Sequence, residues 1–208
     1  MKGKFITFEG IDGSGKTTQL RSLETYLRAS GHDVVTTCEP GGTPLGRRLR
    51  ATFLESDETV SPLAELLLFA ADRAQHVEHL IRPSLAASKV VISDRYADAT
   101  EAYQGGGRGF DADLVAEVIG LATGGLEPDL TVFFDIPVET AFKRMENRHA
   151  ASRANRMDGE TAEFYTRVRN AYLAIADREP ERFRVVDAGR GVAAIEHDVR
   201  MLIGNLLN

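Results

Sequence analysis

The stretch Gly10-Ile11-Asp12-Gly13-Ser14-Gly15-Lys16-Thr17 has the residue types and spacing to hold phosphate. It fits G-x-x-x-x-G-K-[ST], whose backbone wraps the phosphates of a nucleoside triphosphate. Glycines there permit backbone angles and a close approach that side chains block, so successive N–H groups point at phosphate oxygens. A helix opening at its end adds partial positive charge. On this reading residues Gly10 to Thr18 line the phosphates of ATP. Lys16 reaches the β- and γ-phosphates, and the Thr17 hydroxyl joins the Mg²⁺ shell. A second constellation is Asp94-Arg95, at the end of the apolar run Val90–Ser93. Asp94 can hold Mg²⁺ through water, and Arg95 would face the phosphates from a strand's carboxyl end, where ligands collect in an open α/β sheet.

A third feature is a basic run. Residues 143–156 carry Lys143, Arg144, Arg148, Arg153 and Arg156 against Glu146 alone, a local charge of +4 in a chain of net −6. Such a run is ordinarily a solvated helix face. Its place after the fourth strand, and the small residues Ala150-Ala151-Ser152, favour a lid at about 146–160 that closes over ATP.

The elements that must position these groups are legible as alternation. Five β-branched or aromatic runs, Phe5–Glu9, Val34–Thr37, Val90–Ser93, Leu130–Asp135 and Phe183–Asp187, are each followed by a turn or loop signal. Between them apolar residues recur at helical spacing. Leu20, Leu23 and Leu27 form one stripe ended by Gly31. Ser61-Pro62 opens a long helix running towards Leu80, and Asp111 caps another carrying Leu114, Val115, Val118 and Ile119. This pattern predicts an α/β fold, a single domain over 1–208 with a parallel sheet and right-handed crossovers.

Composition narrows the class. The longest uninterrupted apolar runs, Leu66–Ala71 and Ala171–Ala176, are six residues each, far below the roughly 20 needed to span a bilayer. No signal-peptide pattern follows Met1-Lys2, so a cytoplasmic protein with no membrane partner is expected. Cys38, the single cysteine, can form neither an internal disulfide nor a zinc cluster. His32, His76, His79, His149 and His197 show no metal-ligand spacing, so surface or packing roles are expected. The acidic balance argues against a general nucleic-acid binder.

A phosphate loop alone is compatible with a GTPase switch, a motor or a small-molecule kinase. Asn155-Arg156-Met157-Asp158 mimics the guanine-reading N-K-x-D, but with Arg for Lys and in a charged stretch, which disfavours the switch. The ordered set is more specific. Phe8-Glu9-Gly10 with the phosphate loop, Glu39-Pro40-Gly41-Gly42-Thr43, Phe69-Ala70-Ala71-Asp72-Arg73, Asp94-Arg95-Tyr96, Tyr103-Gln104-Gly105-Gly106-Gly107-Arg108-Gly109, Pro128-Asp129-Leu130-Thr131, Arg156-Met157-Asp158 and Phe164-Tyr165 together resemble bacterial thymidylate kinases across nearly the whole chain.

That resemblance implies transfer of the ATP γ-phosphate to dTMP, a P-loop NTPase fold of three layers with a five-stranded parallel sheet, and a homodimer paired through helices such as 61–85. It implies that Phe69 stacks on the thymine, that Arg73 bonds its carbonyl, and that Thr100 and Gln104 read the pyrimidine edge. Tyr103 would crowd the sugar's 2′ position, Asp12 would lie near the acceptor's sugar and phosphate, and Arg95 would hold that phosphate. Arg50 and the Glu39-Pro40 turn would border it. The loop variables Ile11, Asp12, Gly13 and Ser14 include no basic residue, so the resemblance is to the subtype in which lid arginines, here Arg153 or Arg156, supply transition-state charge. The turn Ala188-Gly189-Arg190 would border the adenine.

Taken singly, Phe69 and Tyr103 read as core residues, while Arg73 could pair with Glu78 or another nearby carboxylate and Gly105–Gly109 could be a flexible loop. A phosphate monoester has a second pKa near 6, so its oxygen needs no general base, only cations and N–H donors to hold two anions in line. The competing reading is a deoxynucleoside kinase, whose neutral hydroxyl acceptor needs a carboxylate base, and Glu39 stands in a suitable place. A non-catalytic, nucleotide-responsive protein is disfavoured by the intact Lys16, Thr17, Asp94 and Arg95.

Overall fold

The computed structural model describes residues 3–54, 59–149 and 156–207. Its strands are β1 (Lys4–Glu9), β2 (Val34–Cys38), β3 (Val90–Asp94), β4 (Leu130–Asp135) and β5 (Phe183–Asp187), all parallel in the order β2-β3-β1-β4-β5. The expected runs and the observed strands agree to within a residue at each end. The central strands are buried almost end to end because helices cover both faces of the sheet.

The helices are α1 (Lys16–Ala29), α2 (Pro44–Leu54), α3 (Pro62–His76), α4 (Arg82–Ala86), α5 (Ala97–Thr100), α6 (Ala112–Thr123), α7 (Val138–His149), α8 (Ala162–Arg178) and α9 (Val192–Leu207). The Ser61 side chain accepts from Ala64 N, with Pro62 at the first helical position. Asp111 accepts from the N–H groups of Asp113 and Leu114. Gly31 turns left-handed after α1, and His32 N reaches back to Leu27 O at 3.0 Å, closing the helix end as expected.

Two expectations need correction. The helix opened by Ser61 does not run unbroken to Leu80: Val77–Ile81 widens into a π-helical turn before α4, with Arg82 N bonded to Val77 O. Pro83 supplies the reason, since it has no N–H to continue the regular ladder. Nor is Gly105–Gly109 a loop throughout, because Glu101–Gly107 forms a second π-helical segment packed on α8. A Cβ on Gly106 would lie 2.6 Å from Ala171 Cβ, and one on Gly107 would lie 2.6 Å from Phe164 Cε2. These glycines let α8 approach.

Parallel register brings the site together. Phe8 and Cys38 both pair with Asp94, so β1, β2 and β3 end side by side. Glu39 N bonds Asp94 O, and Arg95 N bonds Phe8 O, each at 2.9 Å. The phosphate loop, the Glu39-Pro40 turn and Asp94-Arg95 therefore leave the sheet at one edge, beside the point where strand order reverses around β1.

Candidate active site

The phosphate loop joins β1 to α1 as the motif requires. Gly13 and Gly15 have φ of 83° and 94°, in the left-handed region. A Cβ on Gly13 would come within 2.5 Å of Ala141 O, so the backbone alone fits there. Ser14 Oγ is buried with no hydrogen-bond partner among the described residues. Buried polar atoms are seldom left so, and a hydroxyl within the phosphate loop suits a phosphate oxygen. Lys16 Nζ donates to Gly10 O at 2.8 Å and Ile11 O at 3.2 Å. Burial, then the Arg95 charge, pull its pKa down to about 8 against Asp94, Asp12 and Glu9. Thr17 and Thr18 lie exposed in the first turn of α1. Thr17 Oγ1 stands 3.5 Å from Asp94 Oδ2, so the two residues expected at a metal adjoin.

Arg95 adopts φ 73°, unusual for a residue with a side chain. Ser93 Oγ donates to its carbonyl at 2.7 Å and Phe8 O takes its N–H, which fixes that turn. The guanidinium donates to Asp12 Oδ1 (3.1 Å), Tyr103 Oη (3.0 Å) and Tyr172 Oη (3.4 Å), lying over the Tyr103 ring.

Beside it opens a cleft of about 570 Å³, mouth included, lined by Asp12, Glu39, Pro40, Arg50, Leu54, Phe69, Arg73, Arg95, Ala99, Thr100, Tyr103, Gln104 and Met157. Every residue expected on the acceptor side lines it. Phe69 is half-buried and held edge-on by the buried Phe53, 5.0 Å between centroids. Arg50 donates to Pro40 O at 3.0 Å, across the cis Glu39-Pro40 bond. Arg73 is buried and does not pair with Glu78, which takes Arg82 instead. It donates to Glu39 Oε2 (2.8 Å), Thr100 Oγ1 (2.7 Å) and Tyr96 O (2.8 Å).

Several groups behind the wall carried no role in the sequence reading. Glu9 is fully buried and accepts from Tyr96 N and Tyr172 Oη, both at 2.7 Å. Burial, then the Asp98 charge, push its pKa up to about 8. His76, expected to serve packing or the surface, is fully buried and polar in its contacts: Nδ1 meets Glu39 Oε1 and Nε2 meets Thr37 Oγ1, both at 2.7 Å. Glu65, on α3, binds Gln104 and Arg108. Glu9 was marked by its place just before the loop, and Tyr172 by being the one hydroxyl in the apolar run 171–176. His76 and Glu65 gave no local signal, since their partners are distant in sequence.

Of the expected lid, Glu146–His149 prolong α7 and Arg156–Gly159 form a single 3₁₀ turn. Arg153 and the Arg156 side chain lie outside the described residues. Tyr165 Oη donates to Met157 O at 3.0 Å, tying that turn to α8. Arg144 donates to Gly13 O (3.4 Å) and Ala188 O (3.2 Å), which places the turn after β5 beside the phosphate loop.

A triphosphate cradle next to a cleft walled by three arginines and two aromatic rings fits a kinase of a nucleotide-sized anion, and relatives narrow this further. The thymidylate kinase of Geotalea uraniireducens (strain Rf4) is 48% identical over 198 residues, 93% of each chain. That of Desulfosudis oleivorans is 49% identical over 205 residues, 92% of this chain and 96% of that one. Among solved structures, the thymidylate kinase of Ehrlichia chaffeensis superposes with a TM-score of 0.79 at 35% identity, covering 98% of this chain and 99% of that one. With the family model described as "Thymidylate kinase" matching residues 8–199, the chain belongs to the thymidylate kinase family.

Proposed function

We propose that the chain transfers the γ-phosphoryl group of ATP to dTMP, giving dTDP for dTTP synthesis. The observation that carries this reading is the joining of Arg95, at the mouth of the phosphate loop, to a cleft lined by Phe69, Arg73, Thr100 and Gln104. One end suits an anionic acceptor and the other a planar base.

On this reading Lys16 and the loop N–H groups bind the donor phosphates, and Arg95 holds the acceptor phosphate opposite them. Asp12 and Tyr103 position Arg95, and the Tyr103 ring closes the sugar's 2′ side. Phe69 stacks on the base while Arg73 and Gln104 address its edge. Thr17 and Asp94 would hold Mg²⁺, since a hydroxyl and a carboxylate are the oxygen donors a hard cation takes; bound there, the ion neutralises charge on the β- and γ-phosphate oxygens. A lid arginine, Arg153 or Arg156, would supply charge to the transferring group, and the turn after β5 would border the adenine.

A homodimer belongs to the same proposal. Leu63 and Leu67 on α3, 51% and 52% exposed, share a helical stripe, as do Leu114 and Leu121 on α6, 39% and 78% exposed. The two helices pack side by side, so the leucines offer adjoining apolar stripes to a second copy. Among the described residues no helix is long and apolar enough to cross a membrane.

The test is an acceptor panel of dTMP, dUMP, dCMP, AMP and thymidine with MgATP. Turnover of dTMP is expected; turnover of thymidine with none of dTMP would overturn the reading.

A further inference from the structure

We propose that Glu65 is a positioning residue that fixes the hydrogen-bonding polarity of the cleft, turning the Gln104 amide so that its carbonyl oxygen faces the base and a pyrimidine with an N3–H is taken in preference to cytosine. This rests on the cleft being the nucleoside monophosphate site.

Glu65 is 1% exposed on α3 and lies against the π-helical segment that carries Gln104. Gln104 Nε2 stands 3.0 Å from Glu65 Oε1. Which end of an amide is nitrogen is ordinarily settled from its partners, and here the partner leaves one choice. An ionised carboxylate only accepts, so the opposite flip would press two oxygens together at 3.0 Å. Arg108 pairs with that carboxylate, its Nε 3.1 Å from Oε1 and its Nη2 3.2 Å from Oε2.

The amide nitrogen being committed, the Gln104 carbonyl oxygen, which makes no hydrogen bond among the described residues, is left to the cleft that Gln104 lines. Nearby, Arg73 uses three of its five N–H donors on Glu39, Thr100 and Tyr96. The wall therefore shows an acceptor and, in the two N–H groups that Arg73 has left, a donor. Thymine and uracil present the complement, an N3–H donor beside a C4 carbonyl. Cytosine presents an unprotonated N3 beside an amino group, with both polarities reversed.

The decisive experiment compares kcat/KM for dTMP and dCMP in the parent, in Glu65→Gln, and in the exchange Glu65→Gln with Gln104→Glu. A neutral amide at position 65 meets either flip of Gln104, so the dTMP:dCMP ratio is expected to fall about tenfold to a hundredfold while the KM for ATP stays within about twofold. In the exchange, the new amide donates to a carboxylate at position 104 whose other oxygen can only accept, and selectivity returns. A folded single variant that keeps the ratio within about threefold of the parent, or a folded exchange as unselective as the single, overturns the proposal. Circular dichroism melts establish folding. Should the single variant not fold, the exchange decides alone: selectivity for dTMP supports the role of Glu65, and equal use of dCMP refutes it. Failure of the underlying reading looks different, because the parent would then phosphorylate neither monophosphate.

Discussion

Glu39 separates monophosphate kinase chemistry from nucleoside kinase chemistry. It is 5% exposed, with Oε2 2.8 Å from Arg73 Nε and Oε1 2.7 Å from His76 Nδ1. If it were the base for a neutral hydroxyl, Glu39→Gln would remove the proton acceptor and lower kcat by about 10²–10⁴. If it anchors the base-reading arginine, the isosteric amide keeps most of the geometry. Its oxygen still accepts from Arg73, and its NH₂ turns to His76, whose ring takes the complementary tautomer against Thr37.

What is lost is the charge on one hydrogen bond. Bonds to charged groups contribute about 1.5–3 kcal/mol and neutral ones about 0.5–1.5, so the difference is about 1–1.5 kcal/mol. The KM for dTMP should rise about fivefold to tenfold, with kcat within about threefold of the parent. Alanine is the wrong probe, because it removes the acceptor as well as the charge and leaves Arg73 Nε and His76 Nδ1 facing a cavity, which mixes unfolding into the kinetics. The assay couples ADP release to NADH oxidation, varying dTMP at saturating MgATP. A fall in kcat of about 10² or more at unchanged KM would return Glu39 to the role of base and refute the anchoring argument.

Four further outcomes are expected. Arg153→Ala or Arg156→Ala should lower kcat by on the order of 10³ with little change in dTMP affinity; near-parent turnover in both and in the double variant would exclude the lid arginines. Gly13→Ala places a Cβ 2.5 Å from Ala141 O at a φ of 83°, so equilibrium ATP binding should be lost and stability reduced by about 1–3 kcal/mol; parent-like ATP affinity would show that the loop yields. Glu9 holds its proton in the folded state up to about pH 8, against 4.5 as an ordinary carboxylate. Its stabilising contribution is therefore complete below the unfolded value and is lost as pH rises through about 8, by at most about 1.4 kcal/mol per pH unit. Asp72, raised to about 6 chiefly by burial and the Glu39 charge, has the same sign over a lower window. Urea melts between pH 6 and 8 should show a decline that Glu9→Gln abolishes, and equal slopes would contradict the assignment. Leu67→Asp with Leu121→Asp should convert a dimer to a monomer in sedimentation; a parent already monomeric would remove the proposed interface.

The sheet was legible because each central strand is buried on both faces and so appears as a run rich in β-branched and aromatic residues bounded by turns. The caps at Ser61 and Asp111 were legible because capping is local chemistry. The phosphate loop and Asp94-Arg95 were legible for the same reason, each being one continuous segment. The π-helical turns were not, since they answer to Pro83 and to the approach of α8 on Gly106 and Gly107. Nor were the partners of Arg73 and Gln104. Glu39 lies 34 residues from Arg73 and Glu65 lies 39 from Gln104, so only folding reveals that each cleft residue is set by a buried acid.

That pattern explains how a site rich in carboxylates can serve polyanions. Glu9 is held by Tyr96 N and Tyr172, Glu39 by Arg73 and His76, Glu65 by Gln104 and Arg108, and Asp98 by both ends of the Arg182 guanidinium. Asp12, which like Glu39 lines the cleft, is paired with Arg95. An acceptor phosphate with a second pKa near 6 is already an anion at neutral pH, so a free base would add repulsion without adding nucleophilicity. Acids committed to donors behind the wall have the opposite effect: they fix arginines and hydroxyls in place, leaving the positive ends of those groups towards the cleft. Catalysis by positioning and charge requires such rigidity, and exchanging one inner acid for its amide should therefore alter affinity and selectivity before it alters the rate of phosphoryl transfer.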